Sequence, residues 1–271
     1  MYDTDPLDTE RLRDLLVDGG LWRQIDVVGE TGSTNADLAD LATDGRSESG
    51  SVLLTGYQSR GRGRLDRTWS APPGASLAMS MLLVPSQRGK GGEVPWRRWT
   101  WLPLICGMAV SEGIRRATGV PTVLKWPNDV MVGDRKLCGI LAERVSTPAG
   151  PGCVIGVGIN TDLTEEQLPV PCATSLRLAG ATTRNKTTIA ATVLRAFALL
   201  YENWHDDFDA DALGRAYVAR CATIGRQVRV VLSDDESVTG RADAIDDDGR
   251  LVVQTVTGRQ VFGAGDIVHL R

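Results

Sequence analysis

The run at residues 153–160, C-V-I-G-V-G-I-N, constrains the fold more than any other part of the chain. It is apolar and carries no charged residue, so it predicts a strand buried inside a sheet. Glycine takes the place of a side chain at positions 156 and 158. Because glycine has no Cβ, this strand lets another group approach its backbone closely.

The rest of residues 1–222 mixes helix and strand signals. Helices are predicted over residues 9–17, from Ser33 or Thr34 onward, and over 99–117, 187–207 and 210–220. Strands are predicted over 51–58, 75–84 and 122–126, with a hairpin at 130–143 that turns at Gly133 and Asp134.

The pattern changes after Thr223. Short alternating runs, separated by acidic turn clusters such as those at 234–236 and 246–249, predict a small antiparallel barrel. We therefore expect a domain boundary near residue 222, with a large domain at 1–222 and a small one at 223–271.

Composition excludes several classes of protein. With 271 residues, 42% of them hydrophobic, the chain is long enough for one large core and a small satellite domain. It has no apolar run of about 18 residues that would cross a membrane, and its acidic start lacks the features of a signal peptide. We expect a cytoplasmic protein with no membrane partner.

The cysteines and histidines offer no metal site. The five cysteines lie far apart without a C-x-x-C pair, which predicts buried free thiols. They are Cys106, Cys138, Cys153, Cys172 and Cys221. His205 and His269 add no zinc ligand set, and neither lies near a nucleophile motif, so each is expected to be structural or exposed.

Residues 58–69, Q-S-R-G-R-G-R-L-D-R-T-W, concentrate four arginines in a chain whose net charge is -4. The flanking strands make this segment a long loop. It can be a solvated loop, although four like charges repel one another, or an RNA-binding Arg/Gly segment, although no second basic patch accompanies it. The favoured interpretation is a phosphate clamp, because glycines let backbone N–H groups face an anion while guanidinium forks bind its oxygens in pairs.

A second polar cluster occupies residues 125–141, K-W-P-N-D-V-M-V-G-D-R-K-L-C-G-I-L. Asn128 and Asp129 lie in a bend after a strand, and Lys136 opens the next strand of a hairpin. There its compact charge can meet a carboxylate or a phosphate. The alternative is an ordinary turn and an exposed lysine. The cluster favours the clamp without naming a ligand.

Five motifs follow one another along the chain. They are G-S-T-N at 32–35, Y-Q-S-R-G-R-G-R-L-D-R-T-W at 57–69, L-K-W-P-N-D-V at 124–130, D-R-K-L-C-G-I-L-A-E at 134–143 and G-V-G-I-N at 156–160. Together they resemble the bacterial biotin-protein ligases over about residues 27–271. One such motif would be weak, whereas five in this order are highly specific.

This resemblance implies an ATP-dependent ligase. Biotin and ATP, with Mg²⁺, would give biotinyl-5'-AMP and pyrophosphate, and biotin would pass to a lysine of a biotin carboxyl carrier domain of acetyl-CoA carboxylase. The implied fold is α+β: a mixed, mainly antiparallel sheet with flanking helices, like that of class II aminoacyl-tRNA synthetases, followed by an SH3-like β-barrel. The short N-terminus leaves no room for the winged helix of bifunctional members, so no DNA partner is expected.

The motif matches also imply where biotin and its adenylate bind. The residues expected to hydrogen-bond the ureido head of biotin or line its pocket are Ser33, Thr34, Asn35 and Gln58. The residues expected in the adenylate loop are Gly61, Arg62, Gly63 and Arg64. Trp69 would pack over the ligand.

Further matches imply the reacting groups. Lys136 would meet the biotin carboxylate and the α-phosphate, and Gly139 would give access to the backbone. Asn128 and Asn160 would border the nucleotide. Asp129 is the candidate for holding Mg²⁺ or orienting the acceptor lysine, with a plain turn residue as the alternative. The expected catalytic residues are Arg62, Arg64, Lys136 and Asp129.

Two positions depart from the family pattern. Leu65 and Asp66 stand where the loop usually has Arg-Gly, and Asp66 adds a carboxylate beside the clamp, although it can adopt a positive φ. Cys138 replaces a small alanine and is expected to pack rather than act as a nucleophile. We also expect residues 62–64 to be mobile without ligand, because unpaired guanidinium groups gain little from a fixed position.

Two rival functions remain. A lipoate-protein ligase adenylates a different cofactor and is the nearest alternative, but it lacks the Arg/Gly loop in this form. An RNA-binding protein would use the same arginines, and its binding would fall steeply with salt and be indifferent to biotin.

Overall fold

A seven-stranded mixed sheet forms the centre of the larger part of the molecule. The computed structural model describes residues 6–87, 94–233 and 236–270. The strands of this sheet are β1 Gln24–Val28, β2 Ser51–Thr55, β3 Ser76–Leu83, β4 Val123–Lys125, β5 Asp129–Val132, β6 Arg135–Thr147 and β7 Gly150–Asn160. Their order across the sheet is β1-β2-β3-β7-β6-β5-β4. Only the β1/β2 pair is parallel, so the predicted mixed, mainly antiparallel sheet is confirmed.

The glycine-bearing run identified in the sequence is β7, in the middle of this sheet. Gly158 lies opposite Ala78 of β3 and Gly139 of β6. Gly156, two residues earlier on the same face, lies opposite Ser80 of β3. Because Ala78, Gly139 and Gly158 lie side by side on three strands, no side chain longer than a methyl group rises from the sheet at this point.

Helices cover both faces of the sheet. They are α1 Thr9–Leu16, α2 Thr34–Thr43, α3 Trp101–Thr118, α4 Lys186–Asp206 and α5 Ala210–Val218, and short 3-10 turns occur at Pro85–Gln87, Trp96–Thr100 and Glu165–Gln167. Helix α3 packs closely on α4, since a Cβ at Gly113 would lie 2.6 Å from the Val193 side chain. Helix α2 lies over the glycine face, where Leu38 and Ala42 pack against Leu82 in a separate cluster.

A five-stranded antiparallel sheet follows, as the alternating runs predicted. Its strands are β8 Gln227–Val231, β9 Ser237–Ile245, β10 Leu251–Thr255, β11 Gly258–Phe262 and β12 Asp266–His269, in the order β11-β10-β9-β8-β12. Two indole N–H groups tie the turn after β9 to the larger sheet and α3. Trp126 donates to the Gly249 carbonyl at 3.2 Å and Trp101 to the Asp247 carbonyl at 2.9 Å.

Several details differ from the sequence-based expectations. Strands β1 and β12 were not predicted, because they are short and only Ile25 and Ile267 are fully buried within them. The predicted strand at 51–58 ends at Thr55. The turn cluster at 234–236 lies partly outside the described residues. Helices α1, α3, α4 and α5 begin and end within about three residues of their predicted limits, and α2 begins at Thr34 as predicted.

Four of the five cysteines are buried free thiols, as predicted, and Cys172 is the exception because it is exposed in a loop. Burial raises the pKa of the Cys153 thiol to about 12. His205 is buried, with Nε2 2.7 Å from the Pro85 carbonyl oxygen, so its role is structural. Within the described parts of the chain, no helix is both long and apolar enough to cross a lipid bilayer.

His269, at the end of β12, is half-buried in a network between the two sheets. Its Nε2 lies 3.1 Å from Thr223 Oγ1, which accepts the backbone N–H of Trp126. Arg226 Nη1 lies 3.4 Å from its Nδ1. Burial first, and then the charges of Lys125 and Arg226, lower the pKa of His269 to about 4.

This network predicts a pH dependence of stability. Folding lowers the pKa of His269 from 6.5 to about 4, so the unfolded chain takes up the proton first. The contribution of His269 is complete above pH 6.5 and is lost as the pH falls towards 4. Over that window we expect the free energy of unfolding to fall by about 1 kcal/mol more in the wild type than in His269→Gln. Urea unfolding at several pH values measures this, and parallel curves would contradict it.

Candidate active site

A small cavity lies over the glycine face of the larger sheet. The predicted site residues that line it are Ser33, Thr34, Asn35, Gln58, Arg62, Gly63, Arg64, Trp69, Asn128, Lys136 and Gly139. Its volume is about 60 Å³, well below the roughly 300–1,000 Å³ of typical ligand pockets. A ligand of nucleotide size would therefore extend beyond this cavity or displace the side chains around it.

One end of the cavity is a polar network at the start of α2. Ser33 is the N-cap of this helix. The backbone N–H of Thr34 donates to Gln58 Oε1 at 2.8 Å, and the Thr34 hydroxyl lies 3.1 Å from the same oxygen. Ser80, fully buried on β3, has its hydroxyl oxygen 2.7 Å from Thr34 Oγ1 and 2.6 Å from Asn35 Oδ1. These contacts fix the orientation of each polar side chain.

The glycines of β7 explain how side chains reach this surface. A Cβ at Gly156 would clash with the amide of Asn35, and one at Gly158 would lie 2.6 Å from the Trp69 indole. One at Gly139 would lie 3.1 Å from the same ring. Gly156 and Gly158 therefore admit the Asn35 amide and the Trp69 indole against the sheet backbone.

Trp69 and Lys136 meet above this floor. Lys136 Nζ lies 5.9 Å from the centre of the Trp69 ring, within the range of a cation–π interaction. It also lies 2.6 Å from Asp129 Oδ1, as an ion pair rather than an aligned hydrogen bond. Trp69 Nε1 is buried and has no hydrogen-bond partner among the described residues. A buried N–H group of this kind is unusual and can bind an acceptor on a ligand.

The arginine-rich segment is a small hairpin. Gly63 N donates to the Arg67 carbonyl at 2.7 Å and Trp69 N to the Gly61 carbonyl at 2.9 Å. Leu65 and Asp66 form the turn, with φ of 52° and 55° respectively. Asp66 does adopt the positive φ that its residue type allows, and Leu65 shares it. The unusual Leu-Asp pair is thus an exposed turn, and the arginines on either side of it contact the neighbouring residues Gly265 and Asp266.

Each of the three arginines that follow Gly61 has a partner. Arg62 Nη2 lies 2.7 Å from Glu143 Oε1, and Arg67 forms an ion pair with Asp266 of β12. Arg64 Nη1 donates to Asn128 Oδ1 at 3.0 Å and to the Gly265 carbonyl at 3.3 Å. The premise that these guanidinium groups are unpaired is therefore wrong, because acidic and carbonyl oxygens of both sheets surround the hairpin.

Arg64 differs from its neighbours in its surroundings. Burial lowers the pKa of its guanidinium, an effect that the charges of Asp266 and Asp129 partly offset. Its hydrogen-bond acceptors, on Asn128 and Gly265, are both uncharged. An anion entering the cavity would supply the charged acceptor that these two oxygens do not.

Some predicted residues lie outside the cavity lining. Asn160 is buried at the end of β7, and its amide donates to the Thr174 carbonyl at 2.9 Å. Gly61 is buried beneath the Trp69 backbone, where a Cβ would clash. Asp129 contacts Lys136, and no group of three His, Cys, Asp or Glu residues suited to a metal ion occurs in the described part of the chain. Burial raises the pKa of the Cys138 thiol, in agreement with a packing role.

Two network members were missed by the sequence reasoning. Glu143 closes the D-R-K-L-C-G-I-L-A-E motif but received no role, and Ser80 lies in an apolar strand. The partners of both are fixed by strand register, since Ser80 lies opposite Gly156 and Glu143 opposite Val154. Only the alternation of small and large residues in 75–84 could have indicated that this strand carries part of a site.

The sequence matches known family models in two segments. Residues 31–160 match the Biotin/lipoate A/B protein ligase family, and residues 223–270 match the Biotin protein ligase C terminal domain. The first segment contains the motifs around the cavity, and the second contains the five-stranded sheet.

Similar proteins cover almost the whole chain. The biotin--[acetyl-CoA-carboxylase] ligase of Mycobacterium tuberculosis is 41% identical over 270 residues, 98% of this chain and 97% of the relative. The bifunctional ligase/repressor BirA of Escherichia coli is 32% identical over 88% of this chain and 70% of its own length. The biotin protein ligase of Aquifex aeolicus, in complex with biotin and ATP, shares the fold with a TM-score of 0.74 at 23% identity, covering 92% of this chain and 100% of that one.

The close approach of Trp69 to β7 predicts that the cost of a methyl group at position 158 depends on the presence of the indole. Gly158→Ala should lower the free energy of unfolding by about 1–3 kcal/mol, because the new methyl group meets the indole. In a Trp69→Ala background most of this cost should disappear. Urea unfolding of the four proteins measures it.

Gly214→Ala in α5 is the matched control, because a Cβ there meets nothing within 4 Å. It should change stability equally in both backgrounds. A cost of Gly158→Ala that persists without Trp69 would contradict the proposed contact.

The contact of the hairpin with β12 predicts protection from protease. Asp266→Asn replaces the carboxylate partner of Arg67 by a weaker neutral acceptor. We expect trypsin to cleave the folded protein within residues 60–67 about fivefold faster, as limited proteolysis with mass spectrometry would measure. Asp243→Asn, which removes the partner of Arg241 at 2.8 Å in the same sheet, should not change this rate. Equal cleavage of the wild type and Asp266→Asn would exclude a protective contact.

Proposed function

The chain belongs to the biotin protein ligase family, and on that basis we propose that it activates biotin with ATP to biotinyl-5'-AMP and transfers biotin to a lysine of a biotin carboxyl carrier domain. The observation that carries the proposal is the composition of the single cavity described above. A neutral hydrogen-bonding network occupies one end, while Arg62, Arg64 and Lys136 supply positive charge beside it. Biotin has the same division, with a neutral ureido ring at one end and a carboxylate at the other.

The neutral end suits the ureido group of biotin. Gln58 and Thr34 already hold one another in place, so their remaining donors and acceptors are preorganised. Ser33, at the N-terminus of α2, adds a hydroxyl and the positive end of the helix dipole. A ureido carbonyl oxygen would accept hydrogen bonds here. The apolar part of the ligand would lie beside the Trp69 indole, which itself packs against the glycine face.

The charged end suits the activation step. The biotin carboxylate attacks the α-phosphate of ATP, an acyl–phosphate bond forms, and pyrophosphate leaves. Two anions must approach one another, so the main contribution of the protein is fixed positive charge. Arg64 and Lys136 would contact the phosphate, and Lys136 would also contact the carboxylate. Asn128, bonded to Arg64 and to the Ile140 carbonyl at 2.9 Å, would border the nucleotide.

The transfer step needs a neutral amine on the acceptor lysine. That nitrogen attacks the biotinyl carbonyl carbon, AMP leaves, and the amine loses a proton. Asp129 is the carboxylate of this site and would orient the incoming amine once Lys136 has moved to the ligand. The acceptor itself is proposed from the name of the Mycobacterium tuberculosis relative.

Magnesium is proposed to enter with ATP. Mg²⁺ is commonly held by one or two carboxylates together with substrate phosphates, and not by an all-protein cage. Asp129 is the carboxylate within reach, and its pairing with Lys136 leaves the phosphates as the principal ligands. When bound, the ion would neutralise phosphate charge during displacement.

Finer structural assignments are also part of this proposal. We assign residues 1–222 to a catalytic domain like that of class II aminoacyl-tRNA synthetases, and 223–271 to an SH3-like barrel. The antiparallel order β11-β10-β9-β8-β12 supports the second assignment. We propose a cytoplasmic location, supported by the unbonded cysteine thiols. Lack of DNA binding stays a prediction.

The decisive experiment is pyrophosphate exchange into ATP. We expect exchange that depends on biotin and Mg²⁺ and that lipoate does not support. Adding an isolated biotin carboxyl carrier domain should then give one biotinylated lysine by mass spectrometry. Exchange with lipoate alone would favour the lipoate ligase, and the absence of exchange with either acid would exclude both.

The same assay tests Lys136. In Lys136→Gln we expect biotin-dependent exchange to fall about 100-fold or more, because one cation at the reacting centre is lost. The free energy of unfolding should fall by only about 1–3 kcal/mol, because glutamine can still donate a hydrogen bond to the largely buried Asp129 carboxylate. Lys125→Gln, a lysine outside the cavity lining, is the control and should retain exchange. Full activity of Lys136→Gln would overturn its assigned role.

A further inference from the structure

Glu143 connects the arginine hairpin to the polar end of the cavity. Its Oε1 lies 2.7 Å from Arg62 Nη2, and its Oε2 accepts from Asn35 Nδ2 at 2.9 Å. The carboxylate is about 28% exposed, whereas the Arg62 side chain is about half exposed. Each oxygen therefore has a different partner, one on the hairpin and one on α2.

The orientation of Asn35 in this arrangement is chemically determined. A carboxylate can only accept hydrogen bonds, so the atom of Asn35 facing Glu143 must be the NH₂ group. Its carbonyl oxygen faces the Ser80 hydroxyl at 2.6 Å. The NH₂ group also donates to the Leu141 carbonyl at 3.2 Å. Asn35 is thus held on both sides.

A continuous set of contacts follows from these pairs. It runs from Arg62 through Glu143, Asn35 and Ser80 to Thr34, which in turn binds Gln58. All these residues except Ser80 and Glu143 line the cavity. Glu143 therefore joins a half-exposed cation to the part of the site that we assign to biotin.

We propose that Glu143 is a positioning residue that directs Arg62 to the biotin carboxylate, an inference that rests on the proposed function. Glu143 holds Nη2 of the guanidinium, and the remaining N–H groups of the planar fork can meet a second carboxylate. Arg64 has different partners, Asn128 and the Gly265 carbonyl, and we assign this part of the site to the nucleotide. The two arginines thus serve different substrates.

The test is the effect of Glu143→Gln on the two Michaelis constants in the exchange assay. Glutamine keeps the size of the side chain and an oxygen that accepts from Asn35, but it loses the charge that holds Arg62. We expect the biotin KM to rise about fivefold, with the ATP KM within about twofold of wild type. A purely structural role would instead lower the amount of active enzyme, and thus the apparent kcat, and leave both KM values unchanged.

A double-mutant cycle with Arg62→Gln tests whether Glu143 acts through Arg62. We expect the double variant to have the biotin KM of Arg62→Gln alone, because the interaction is already absent. The control is Glu165→Gln, which breaks an exposed pair with Arg135 at 2.6 Å outside the cavity lining. It should leave both KM values unchanged.

The outcomes separate this inference from the proposed function. A wild-type protein without biotin-dependent exchange would overturn both. Exchange by the wild type with an unchanged biotin KM in Glu143→Gln, or with additive effects in the cycle, would overturn the role of Glu143 alone. If Glu143→Gln does not fold, Arg62→Gln decides, and a rise in its ATP KM without a rise in its biotin KM would refute the assignment.

Discussion

The absence of Cβ atoms on one face of β7 is the constraint on which the site depends. Asn35 and Trp69 both lie where a side chain from Gly156 or Gly158 would stand. Asn35 in turn contacts Ser80 and Glu143, and Trp69 contacts Lys136, so the rest of the site is built around these two side chains. The central strand is therefore where packing and chemistry are specified together. A methyl group at position 158 would displace the indole, whereas the opposite face of the strand is ordinary apolar core.

The second organising feature is that the cationic side chains around the cavity already have ion-pair or hydrogen-bond partners within the protein. Arg62 and Lys136 have carboxylate partners, and Arg64 has two uncharged acceptors. Isolated charges of one sign would repel one another in a partly buried space, and the local acidic groups reduce this cost. The arrangement also explains why a chain of net charge -4 contains such a segment. Arg62 and Arg64 line the cavity, and Arg62 and Arg67 are paired with carboxylates, so this segment is not a row of free cations of the kind that RNA binding uses.

Local sequence patterns predicted much of the fold, but they did not predict many of the hydrogen bonds and ion pairs within the site. The strand at 153–160, the helix beginning after Ser33 and the hairpin at 130–143 each carry a strong local signal. Motif order indicated most of the residues that line the cavity. The Arg62–Glu143 and Arg67–Asp266 pairs were not predicted, because their residues lie 81 and 199 positions apart in the sequence. Such contacts depend on strand register and domain packing, which single-sequence periodicity does not report.

The energetics of these contacts indicate how the site can open. Arg62 and Arg67 are at least half exposed, so each of their ion pairs contributes no more than about 1 kcal/mol. Breaking these two pairs would therefore cost little, and movement of the hairpin would enlarge a space of about 60 Å³. Arg64 is more deeply buried and has uncharged acceptors, so a phosphate would improve its surroundings more than those of its neighbours. When the hairpin closes again with the anion inside, the two exposed pairs would re-form and Arg64 would gain a charged acceptor.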